Sequence, residues 1–118
     1  MSESDNDAPR IAPSPGLHVV RAGGAVIGET ASGWSVLMPG DETPTMYLPK
    51  AEAGALFLEP AETTFEIPGL GRARQYDLIA KSGPIRSAAW AIEAPATGAE
   101  MLIDHVAFDP ERVAVERL

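Results

Sequence analysis

Thr63-Thr64-Phe65-Glu66-Ile67-Pro68-Gly69-Leu70-Gly71-Arg72-Ala73-Arg74-Gln75-Tyr76-Asp77-Leu78-Ile79-Ala80 is the stretch that decides the fold. Residues 63–67 alternate Thr64 and Glu66 with Phe65 and Ile67, the period-two pattern of a half-buried strand. Residues 72–80 repeat it, with Ala73, Gln75 and Asp77 set against Arg74, Tyr76 and Leu78. Between the runs, Pro68 fixes its own φ, and glycine permits the positive φ that a tight strand-to-strand turn requires.

Outward from this pair the pattern continues. Lys81-Ser82-Gly83-Pro84 returns the chain into a strand over residues 85–93 that carries Trp90. Residues 101–108 and 112–117 read as a last pair joined by Asp109-Pro110-Glu111. Upstream, residues 18–21 and 25–29 flank Ala22-Gly23-Gly24, a hairpin signal. Residues 33–38 form a strand stopped by Pro39-Gly40-Asp41-Glu42, and residues 45–48 form the next. Residues 50–58 carry Ala51, Ala53, Ala55 and Leu56 and could make a helical turn or two, although Gly54 opposes helix by up to ~1 kcal/mol relative to alanine. Short strands separated by Gly/Pro turns predict an all-β, mainly antiparallel fold.

The chain has 118 residues of even composition, so a single domain over residues 17–118 is expected. Residues 1–16 are acidic, polar and proline-bearing, and read as an extended tail, disordered unless something docks it. The absence of cysteine excludes disulfides, thiolate nucleophiles and Cys-based zinc sites. No apolar run reaches the ~18 residues of a membrane span, and the N-terminus lacks the pattern of a signal peptide, so a cytoplasmic setting is expected. A net charge of −8 disfavours nucleic acid and anionic membranes as partners. Arg72, Arg74, Lys81 and Arg86 cluster in sequence, which reads as a solvated strand face.

Three short signatures carry a family resemblance: Tyr47-Leu48-Pro49, then Pro68-Gly69-Leu70-Gly71-Arg72-Ala73 with Tyr76, then Ala88-Ala89-Trp90. Over residues 18–115 the chain resembles the small β-rich family catalogued as domain of unknown function 427. The resemblance implies a β-tent-like fold, coiled antiparallel sheets meeting at an angle with a ligand groove in the angle, here held by packing rather than by zinc. The family segment approximates Cys-Pro-Tyr-Lys-Gly-x-Ala followed by an aromatic. This chain keeps Pro68, Gly71, Ala73 and Tyr76, but has Ile67 for the cysteine and Leu70 for the lysine. It also has Met38 where the family commonly has a glutamate, and Glu52 where it often has an aspartate. The nucleotidyltransferase label sometimes attached to the family finds no Gly-Ser pair with paired aspartates and no phosphate-binding lysine in this sequence.

The candidate ligand-binding residues are Tyr47, Glu52, Arg74, Tyr76, Trp90 and His105. Trp90 follows two small residues on a strand and reads either as packed core or as a pocket wall. Tyr47 and Tyr76 allow the same two readings. Glu52 is a surface or helix-capping carboxylate, or the one charged position carried over from the family. Asp104-His105 is an acid–imidazole pair, but neighbours on a strand face opposite sides, so Asp104 is not expected to orient His105. His18 has no partner in sequence, and no spacing calls for a metal or cofactor. The leading expectation is a non-catalytic small-molecule-binding or interaction module. The alternative is an enzyme of unassigned reaction using Glu52 or His105 as acid–base group. Sheet edges that need covering make a homodimer plausible, with the tail lying on a partner's edge.

Overall fold

The computed structural model describes residues 8–118. Ten strands follow in chain order: β1 (Arg10–Ser14), β2 (His18–Ala22), β3 (Ala25–Thr30), β4 (Gly33–Leu37), β5 (Thr45–Pro49), β6 (Leu58–Ile67), β7 (Gly71–Ala80), β8 (Gly83–Pro95), β9 (His105–Phe108) and β10 (Ala114–Arg117). Seven of them form one sheet in the order β1-β4-β5-β9-β8-β7-β6, and three form a second in the order β10-β2-β3. All the pairings between named strands are antiparallel. The all-β reading therefore holds.

The deciding hairpin forms as its residues dictate. Leu70 N–H donates to Ile67 O at 2.9 Å, closing a turn with Pro68 and Gly69 at its centre. Gly69 has φ of 84°, the left-handed value that the third position of a type II turn demands. Beyond the turn Ile67 pairs with Gly71 and Phe65 with Ala73.

Three elements differ from expectation. Arg10–Ser14, placed in the extended tail by the sequence, is an edge strand paired with β4 of its own chain, with Pro13 opposite Trp34. Proline is tolerated there because one side of an edge strand needs no ladder donor. Residues 101–108 and 112–117 are not the pair expected, since β9 lies between β5 and β8 in the large sheet and β10 pairs with β2 in the small one, whereas the helical turn expected within residues 50–58 is present as the 3-10 helix Ala55–Phe57. The strand expected from residue 101 begins only at His105, because Glu100–Leu102 is a second 3-10 turn and Asp104 has φ of 60°. No helix among the described residues is long and apolar enough to cross a membrane.

The three-stranded sheet packs on one face of the larger sheet. Val20 and Ala22 of β2 meet Leu48, Leu78, Ala89, Ala91, Val106 and Phe108 there in a closed core. Each fully buried aliphatic chain in such a core contributes about 1.5–3 kcal/mol. His18 is also fully buried, with Nε2 3.0 Å from the Ser14 hydroxyl, and Nδ1 has no hydrogen-bond partner. Gly33 makes room for this ring. A Cβ at that position would lie 3.0 Å from His18 Cε1 and 3.1 Å from Leu48 Cδ2.

The opposite face of the large sheet is covered by its own connections. Leu70 from the β6–β7 turn and Ala99 and Leu102 from the β8–β9 connection pack there on Val36, Tyr47, Ala73, Ile92 and Ala107. That cover is partial, and the uncovered part is where the candidate site lies.

Candidate functional site

Strand β8 deals its side chains alternately to the two faces. Ala89 and Ala91 enter the closed core, and Trp90 between them faces the other way. In register, Trp90 stands opposite Ala107 of β9 and Gln75 of β7. Leu48 pairs with Val106, which sets Tyr47 beside Ala107, and Tyr47 pairs with Trp34. A single row of side chains, Trp34, Tyr47, Ala107, Trp90 and Gln75, thus crosses one face of the sheet.

Adjacent strands lie about 4.8 Å apart, so the backbones of Tyr47 and Trp90 stand roughly 10 Å apart with Ala107 between them. The small methyl of Ala107 leaves that gap open, and the two side chains close over it. Trp90 Nε1–H donates to the Tyr47 hydroxyl at 2.9 Å. Tyr47 is 2% exposed, and burial pushes its phenol above the ordinary tyrosine value, an effect opposed in part by the hydrogen bond from Trp90. The phenol is therefore protonated at neutral pH.

This pair floors a groove of about 440 Å³. Val36 and Met38 wall it from the β4 side, and Phe65 and Ile67 from the β6 side. Strands β4 and β6 lie far apart in the sheet order, so both can line one groove only because the sheet curls. Register shifts in β6–β7 and β7–β8 supply that curl, since bulges bend strands and increase their twist. One such shift also delivers a polar group. Tyr76 pairs with Ala89 and Leu78 with Ile85, leaving Arg86, Ser87 and Ala88 opposite Asp77 alone. Ser87 takes a φ of 55°, its N–H donates to Asp77 Oδ1 at 2.9 Å, and the residue lines the groove. Asp109 and Arg112 also line it and pair with each other at 3.4 Å. A second cavity of about 280 Å³, lined by Phe108, Pro110 and Val113, shares Thr45 and Trp90 with the first.

Of the residues nominated from sequence, Tyr47 and Trp90 meet in the groove and the other four do not line it. Arg74 and Tyr76 flank Gln75 on β7 and therefore face the opposite side. Arg74 donates to Glu93 Oε1 at 2.9 Å and to Ala61 O at 2.9 Å. That partnership holds the Glu93 carboxyl below the usual carboxylate range. The Tyr76 hydroxyl accepts from Lys50 Nζ at 3.0 Å. Glu52 lies against Ile27, Leu56 and Phe57 in a separate depression, and its carboxylate accepts from the Thr30 hydroxyl. His105 lies at the start of β9, with Nδ1 2.9 Å from Ile103 O.

Sequence reasoning missed Gln75, Ser87, Asp109 and Arg112. Gln75 was within reach, because its alternation with Arg74 and Tyr76 is visible once Trp90 is placed opposite it. Ser87 carried no signal, since a bulge decides its direction. Among the described residues, no three His, Cys, Asp or Glu side chains gather in a way that could hold a metal ion.

Fold and site together define a small antiparallel β domain with an aromatic-floored groove. A family model described as a domain of unknown function (DUF427) matches residues 10–118, and the chain belongs to that family. No curated protein matches it.

Proposed function

We propose that this protein is a non-catalytic module that binds a small molecule in the groove floored by Tyr47 and Trp90. The observation that carries the reading is the hydrogen-bonded Tyr47–Trp90 pair at the base of a concave site of about 440 Å³. Small-molecule sites are commonly about 300–1,000 Å³, mostly apolar, with a few placed polar groups. The positions where the resemblance implies glutamate and cysteine are Met38 and Ile67, and both line the groove. The position where it implies lysine is Leu70, packed at 1% exposure in the second core. The groove therefore offers apolar surface where reactive side chains would be needed.

The enzyme alternative depended on Glu52 or His105 as acid–base group, and neither lines the groove. A β-tent arrangement and a cytoplasmic setting fit the same proposal, the first through a groove in the bend of a curled sheet, the second through a cysteine-free acidic chain. The test is a thermal-shift screen of the purified protein against metabolites and nucleotides, with Trp90→Ala alongside. A ligand at a hundred times its Kd adds about 2.7 kcal/mol, a shift of several degrees for a domain this size. A shift lost in folded Trp90→Ala supports the groove. A shift retained there, or none across the panel, counts against it.

A further inference from the structure

We infer that the groove is built for an uncharged planar ring system bearing a hydrogen-bond acceptor, a ring nitrogen or carbonyl oxygen, that takes the Tyr47 proton. The inference rests on the small-molecule reading of the groove and adds the chemical class of the ligand.

A phenolic hydroxyl has one proton to donate and lone pairs to accept. At Tyr47 an accepting position is filled by Trp90 Nε1–H, which can only donate. Among the described residues the hydroxyl makes no other hydrogen bond, so its own proton has no protein acceptor. The residue is 2% exposed and lines the groove, so the groove is the side from which a ligand would reach that proton. Donation from the indole polarises the hydroxyl and strengthens it as a donor. Because burial raises the phenol's pKa, the group stays a donor throughout the physiological range.

The rest of the groove fixes the ligand's shape and charge. The Trp90 indole and the Phe65 ring offer flat apolar surface, and Met38 offers a thioether that suits ring edges. The charged side chains lining it, Asp109 and Arg112, neutralise each other at 3.4 Å. An anion would meet the repulsion of a chain carrying a net charge of −8, and a cation would find no unpaired carboxylate in the groove.

The test titrates the intact protein into three probes of similar size, quinoline, naphthalene and 2-naphthoate, and follows each probe's NMR signals. Quinoline is expected to bind about five- to tenfold tighter than naphthalene, the worth of one neutral hydrogen bond, and 2-naphthoate weakest. In Tyr47→Phe the quinoline preference should vanish while naphthalene binding persists. Equal binding of quinoline and naphthalene to the wild type, or tighter binding of 2-naphthoate, overturns the ligand class without needing any variant. A quinoline preference that survives Tyr47→Phe overturns it too. If none of the probes binds the wild type, the ligand class is overturned, and the thermal-shift screen of metabolites and nucleotides decides the small-molecule reading separately.

Discussion

The two faces of the seven-stranded sheet are made by the same strands and end in different states. On one face Leu48, Ala89, Ala91 and Val106 meet a second sheet and are shut from water. On the other, one residue along each strand, Tyr47, Trp90 and Ala107 have no second sheet above them, and the cover comes from Leu70, Ala99 and Leu102 of the connections. Side-chain character does not account for the difference, since both faces are apolar. Coverage does. The three-stranded sheet blankets its face, whereas the β6–β7 turn and the β8–β9 connection cover part of theirs and leave a groove. A binding site can thus arise as the unfinished part of a core.

That contrast can be broken most directly by truncating one residue on each face. Leu48→Ala should cost about 2–5 kcal/mol in denaturant unfolding, the price of a cavity in a closed core. Phe65→Ala, on the groove wall, should cost less, about 1–2 kcal/mol, since the residue is 37% exposed. Equal losses would mean that the groove face is as closed as the other. Next in size is Gly33→Ala. Its new methyl would press on His18 and Leu48, both fully buried, and should cost about 1–3 kcal/mol by overpacking.

Tyr47→Phe should be milder in stability, about 1 kcal/mol, from the acceptor that Trp90 loses. The same tyrosine gives a pH test. Its folded pKa is raised, so its contribution is whole below the unfolded value of about 10 and is lost as pH rises through the folded value. In a Tyr76→Phe background, the absorbance of the remaining phenolate should therefore appear above pH ~10, and stability should decline over the same range. A Tyr47 that ionises at the ordinary value would contradict its burial.

The smallest effect belongs to Arg74→Ala, on the side away from the groove. Glu93 is held low by Arg74, so its contribution is present above the unfolded carboxylate pKa and is lost as pH falls through the folded value. The stability difference between wild type and variant should shrink toward zero in acid, and probe binding should not change. A change in binding would place Arg74 in the site after all.

Much of this architecture was legible because period two and turn chemistry are local. Phe65, Ile67, Pro68 and Gly69 announce their hairpin without help from the rest of the chain. Strand β1 was not legible, because Pro13 argues against a strand and only the exposed edge of β4 makes one possible. The site was legible to the same extent. Tyr47 and Trp90 stood out as aromatics in strands, but their meeting depends on Ala107 being small and on the register that sets it between them. Glu52, Arg74, Tyr76 and His105 carry suggestive chemistry, but alternation or a turn directs each away from the groove. Ser87 reached the groove through a bulge that no residue type in its neighbourhood announces.

The three-stranded sheet has a consequence for the order of events during synthesis. Its central strand, β2, emerges early, but its partner β10 is made late. Arg21 and Glu116, joined across that pair at 2.8 Å, lie 95 positions apart. The lid of the closed core is therefore incomplete until residues 114–117 have left the ribosome. Before then, the alanine-rich surface of β8 and the β5 and β9 side chains beside it lack part of their cover. Contacts this distant in sequence slow folding, so the nascent domain is exposed to aggregation until β10 pairs with β2.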